Sequence, residues 1–148
     1  MKKYLISVTS ISVILILLDQ LSKYFAQKYI ENYEIIKGVF SLEYAENKGI
    51  AFGLEVPQLL VVAGSIIIIP IIFLMIYKEL SPNHWITEIS SSLIIGGALG
   101  NVIDRILNGF VIDFISVWKW PNFNLADTFI VAGILLIICF YGRIKKIN

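Results

Sequence analysis

Four apolar runs, each near the length that crosses a bilayer, restrict this chain more than any other feature. A ~30 Å hydrocarbon layer needs about 20 residues of helix at roughly 1.5 Å each. Spans are expected at about 4–25, 57–77, 86–107 and 125–142. The composition agrees: 57% of the 148 residues are hydrophobic and the mean hydropathy is +0.81, above the roughly 45–50% apolar content of soluble domains. The start, Lys2-Lys3 followed by an apolar run, also has the form of a secretory signal peptide. No small-residue cleavage site follows, and Asp19-Gln20 comes directly after the leucines, so a first span fits better. The expected fold is an α-helical integral membrane protein with four transmembrane helices in one membrane domain.

Between the first two runs, residues 26–56 are too polar to lie in lipid. Val39 to Tyr44 alternates apolar and polar side chains, the period of a half-exposed strand. Ala45-Glu46-Asn47-Lys48-Gly49 reads as a turn, after which Ile50 to Leu54 is placed to pair back. A small extracytoplasmic hairpin or sheet at about 35–55 follows, lying on the membrane with Phe40, Leu42 and Phe52 toward lipid. Pro57 suits the first turn of the second helix, and Pro70 should kink it. Lys2, Lys3, Lys78, Arg143, Lys145 and Lys146 fall on one side, which the positive-inside rule makes cytoplasmic along with both termini. Residues 108–123 are then an outer loop, with Trp118 and Trp120 at the interface.

Charge and residue counts exclude several functions. The net charge is +1 with no dense basic cluster, so nucleic acid is not an expected partner. One cysteine, Cys139, and one histidine, His84, argue against a transition-metal site, and neither metal nor cofactor is expected.

Three of the four aspartates lie between Gly96 and Asp127. Ionisable groups at membrane depth are costly and mark function unless paired. Asp19 and Lys23 are four apart on one helical face and form a candidate helix-end ion pair. Gly96 and Gly100 have the spacing that lets helices approach closely. Asn101, Asp104, Arg105 and Asn108 make a polar stripe, with Asp104 and Arg105 free to neutralise each other or to pair with Asp19 and Lys23. Asp113 and Asp127 sit in apolar sequence without a neighbouring cation. Asn124 and Asp127 also match a capped helix start, a structural use that competes with a catalytic one. Two carboxylates brought together at low dielectric separate their pKa values, one keeping a proton while the other activates water.

Five motifs in order resemble the bacterial lipoprotein signal peptidase (signal peptidase II) family: Asp19-Gln20-Leu21-Ser22-Lys23, Asn47-Lys48-Gly49-Ile50-Ala51-Phe52, Gly96 through Arg105, Gly109 through Phe114, and Phe123-Asn124-Leu125-Ala126-Asp127. They cover nearly the whole chain; Ile50 and Thr128 stand where the family often has alanine and serine. The resemblance implies an aspartic endopeptidase with Asp113 and Asp127 as its dyad. It implies that Asp19, Lys23, Asn47, Gly49, Asn101, Asp104, Arg105 and Asn124 bind substrate or support the site. It also implies a diacylglyceryl-prolipoprotein substrate, cut before the lipidated cysteine at the outer surface of the bacterial plasma membrane. Membrane lipid is the other expected partner, and the chain is expected to be a monomer. Two further classes compete: a proton-coupled carrier or channel subunit, and an assembly protein held by glycine contacts. A relay needs acids across the bilayer, whereas these cluster toward the outer ends of spans; an assembly role leaves Asp113 unexplained.

Overall fold

The computed structural model describes residues 2–49 and 56–146. The expected pairing of Ile50 to Leu54 lies outside the described residues. The elements are α1 (Lys2–Tyr29), β1 (Asn32–Ile36), β2 (Phe40–Asn47), α2 (Gln58–Glu79), α3 (Trp85–Asn108), β3 (Val111–Val117) and α4 (Leu125–Ile144). All four helices are long and apolar enough to cross a membrane. Their outward side chains, such as Ile14, Leu59, Ile67 and Ile138, are exposed, as a lipid-facing surface requires.

α3 is the central helix. It packs against α1, α2 and α4, whereas α1 and α4 touch only lightly. Glycines permit this crowding. A Cβ on Gly96 would lie 3.1 Å from the Leu15 side chain of α1, and one on Gly97 would strike the Ala126 carbonyl of α4. The close-contact reading of Gly96 and Gly100 therefore holds, both facing α1, while Gly97 between them faces α4. At the end holding the chain termini, Ile76, Leu80, Ile86, Ile94 and Ile144 form the apolar core. There Ser81 N–H donates to the Ile144 carbonyl at 2.6 Å, tying the end of α2 to that of α4.

The sheet sits at the opposite end and differs from expectation. It has three antiparallel strands in the order β1-β2-β3. The turn falls at residues 37–39, where Gly38 has φ +68°, while Ala45 to Asn47 continue strand β2. The third strand comes from residues 111–117, read above as loop, so the sheet joins the connection after α1 to the one after α3. Its buried start, Val-Ile-Asp-Phe, lacks the alternation that reveals a half-exposed strand. A bulge between Leu42 and Ala45 shifts the phase of β2. The face carrying Phe40 and Leu42 is continued by Ala45 and Asn47, and it is also the face of Asp113, the partner of Ala45.

Candidate active site

The site forms where β2, β3 and the starts of α4 and ends of α1 and α3 converge. Lys23 is its only fully buried cation among the described residues and is 1% exposed. Its Nζ lies 2.8 Å from Asp19 Oδ2, 2.9 Å from Asp104 Oδ2 and 3.0 Å from Asn101 Oδ1. The ammonium donates hydrogen bonds to Asp19 and Asn101 and forms an ion pair with Asp104. Both acids are also bound by N–H groups. Asp19 Oδ1 accepts from Ala126 N–H in the first turn of α4 at 2.9 Å. Asp104 Oδ2 accepts from Ile112 N–H at 3.1 Å, fixing the start of β3 beside its neighbour Asp113. Asp19 and Lys23 do form an i,i+4 pair, but a buried one that ties α1 to α3 and α4.

This ion-paired group orients the amides around the other two acids. Because Asn101 Oδ1 accepts from Lys23, its Nδ2 is left to donate to Asp127 Oδ1 at 2.8 Å. Asn124 Nδ2 donates to Asn101 Oδ1 at 3.1 Å and to Asp113 Oδ1 at 2.7 Å. Asn124 Oδ1 accepts from Asp127 N–H at 3.0 Å, and Asp127 Oδ2 accepts from Asn124 N–H at 3.3 Å. This is the reciprocal capping box at the start of α4, so Asp127 does have the capping use foreseen for it. Asn47 Oδ1 accepts from Gly49 N–H at 3.1 Å, turning its Nδ2 to Asp113 Oδ2 at 2.9 Å. Asn101 and Asn124 therefore link Asp113 to Asp127, and among the described residues neither acid has a cation within 4 Å.

Asp113 is 2% exposed. Burial pushes its carboxyl from the ordinary 3.8 up to about 6; the Asn47 amide opposes the rise, the charge of Asp127 adds to it, and Asn124 and Lys23 oppose it. Asp127 is only partly buried and borders an open apolar groove with Trp120, Phe123 and Thr128. One carboxyl held back from ionising beside a second one at a groove is an arrangement suited to acid–base chemistry on a bound carbonyl.

The family model for signal peptidase (SPase) II matches residues 11–142. The chain belongs to the signal peptidase II family. A lipoprotein signal peptidase of Moorella thermoacetica is 38% identical over 86% of this chain and 87% of that protein. One of Halothermothrix orenii is 41% identical over 91% and 94%. A solved bacterial membrane enzyme shares the fold at TM-score 0.78 and 30% identity, covering 91% of this chain and 87% of that one.

In this signal peptidase II chain, every residue singled out from the sequence falls in or against the network, with two corrections. Arg105 makes no ion pair within 4 Å among the described residues. Its Nη1 donates to the Asn101 carbonyl at 3.2 Å and its Nη2 to the Gly49 carbonyl at 3.4 Å. Lys23 reaches Asp104 first, because α1 delivers it into the core while Arg105 points toward the loop after β2. Asn108, the fourth member of the stripe, is exposed and outside the network. One contributor was overlooked. Gln20 Nε2 lies within 3.2 Å of Asp19 Oδ2 and the Gly100 carbonyl and 2.8 Å from Asp104 Oδ1. An uncharged amide beside Asp19 in an apolar run was the available signal.

Proposed function

We propose that the protein is a membrane aspartic endopeptidase that removes the signal peptide from diacylglyceryl-modified prolipoproteins, cutting before the lipidated cysteine. The observation that carries this is the division of the four aspartates. Asp19 and Asp104 are ion-paired with Lys23, while Asp113 and Asp127 have only amide donors. Two acids without a counter-ion are costly to bury and are left for chemistry.

Asp113, the more buried acid and the one whose burial favours the protonated form, acts as the proton donor and in that form hydrogen-bonds the scissile carbonyl oxygen. Asp127, at the groove, takes a proton from water as the oxygen attacks the carbonyl carbon. The tetrahedral intermediate collapses when its amine nitrogen receives a proton from the dyad, and the C–N bond breaks. Asn47, Asn101 and Asn124 hold the carboxylates, so little reorganisation is needed. Lys2, Lys3, Lys78, Arg143, Lys145 and Lys146 mark the end away from the site, which supports cytoplasmic termini and a site near the outer leaflet.

The test is incubation of the purified protein with a diacylglyceryl-modified precursor and with its unmodified counterpart. Cleavage of the modified precursor alone, before the cysteine, is expected. Its loss in Asp113→Asn and Asp127→Asn, each still folded, is expected too. Full activity in either variant removes the dyad assignment, and cleavage of neither precursor removes the reading.

A further inference from the structure

α2 is the least embraced helix of the bundle. It packs on α3 and has one buried residue, Ile76, near the end where Ser81 and Ile144 tie it to α4. Toward the site its separation from α4 leaves a cleft of about 400 Å³. The walls include Val61 and Ile72 of α2, Ile94 and Ala98 of α3, and Ile130 and Ile134 of α4. Ser65 also borders it, but its hydroxyl is spent on the Val61 carbonyl at 2.8 Å. Along α3 the cleft runs from Ile94 to Arg105, roughly 16 Å at the rise of a helix. That is about half of the ~30 Å hydrocarbon layer, the depth of one leaflet.

The head of the cleft is polar and incomplete. Arg105 and Asn101 line it, and Arg105 Nε is buried with no hydrogen-bond partner among the described residues. The other two guanidinium nitrogens are occupied by backbone carbonyls. A buried N–H without an acceptor is costly, so the site is suited to a ligand that brings one. The ligand must be apolar for the depth of a leaflet and end in an oxygen acceptor. An acyl chain with its ester carbonyl has that form. The head also adjoins the chemistry, since Asn101 both lines the cleft and donates to Asp127.

We infer that the α2–α4 cleft holds one acyl chain of the lipidated substrate, with its ester carbonyl on Arg105 Nε; this rests on the peptidase reading above. The chain enters sideways from lipid between two helices that are tied together at their far end. The groove on the other flank of α4, along Asp127, Val131 and Leu135, is left for the peptide.

Two precursors test this, one carrying dipalmitoylglyceryl and one dibutyrylglyceryl, each cleaved in detergent micelles. The readout is the ratio of kcat/KM for the long-chain over the short-chain substrate. Ile68→Trp and Ile134→Trp both narrow the cleft at side chains already exposed to lipid. Each should lower the ratio about tenfold or more, the size of discrimination a filled apolar pocket supplies. Retained cleavage of the short-chain substrate shows that the variant is folded. An unchanged ratio in both variants overturns the inference. So does a ratio that falls in Val131→Trp, on the other flank, and not in these two. Added phospholipid bearing the same chains should not inhibit; competitive inhibition by it assigns the cleft to bulk lipid and also overturns the inference. Failure of the unsubstituted protein to cleave either precursor instead removes the peptidase reading itself.

Discussion

Asp113 carries the cost of its own position. Its folded pKa of about 6 lies above the ordinary 3.8, so the folded chain binds this proton more tightly than the unfolded one does. The proton's contribution to stability is complete below about pH 4 and is lost as the pH rises through about 6. The rise from 3.8 to about 6 corresponds to at most about 3 kcal/mol near neutral pH. Asp113→Asn should therefore abolish cleavage yet raise the unfolding temperature near pH 7, with no gain below about pH 4. Thermal unfolding in detergent at the two pH values checks this, and a variant less stable at neutral pH contradicts it. Asn47 argues the same point from the other side. Its amide favours the ionised Asp113, so Asn47→Ala should lift that pKa further. The alkaline limb of kcat/KM against pH should move to higher pH; a shift the other way excludes Asp113 as the proton carrier.

At the scale of the element, α3 acts as a spine whose glycines set its distance from each neighbour. A Cβ at Gly100 would fall 2.6 Å from Asp19 Oδ2, against an ion pair that cannot retreat. One at Gly97 would meet the α4 backbone. One at Gly64 of α2 would meet nothing within 4 Å. Gly97→Ala and Gly100→Ala should each destabilise by about 1–3 kcal/mol or more. Gly64→Ala should be neutral or stabilising by up to about 1 kcal/mol, since alanine favours helix. Unfolding midpoints of the three variants decide it, and equal effects would show that helix propensity rather than packing governs these positions.

On the scale of the whole molecule, Lys23 connects α1 to α3 and, through Asp19 and Ala126, to α4. Lys23→Met removes one cation and strands two buried carboxylates. A loss of about 3–5 kcal/mol is expected, often seen as failure to accumulate in membranes. The double variant Lys23→Met with Asp104→Asn should recover part of it, because the stranded charge is removed. Absence of any recovery would place the effect of Lys23 elsewhere than in this pair.

The sequence by itself determined the four helices, since runs of leucine and isoleucine at span length have no other way to satisfy their backbone in lipid. It also exposed the acids, because a carboxylate in apolar sequence is conspicuous wherever it ends up. Which acids pair was decided only by tertiary structure. Lys23 and Asp104 are 81 residues apart, and no local pattern distinguishes Lys23 from Arg105 as the partner. The third strand was hidden because its start is buried on every residue, so no alternation of apolar and polar side chains marks its period until α3 and β2 cover it. The bulge in β2 that turns Asn47 toward Asp113 was likewise invisible, since one added residue changes the face only once a partner strand fixes the register.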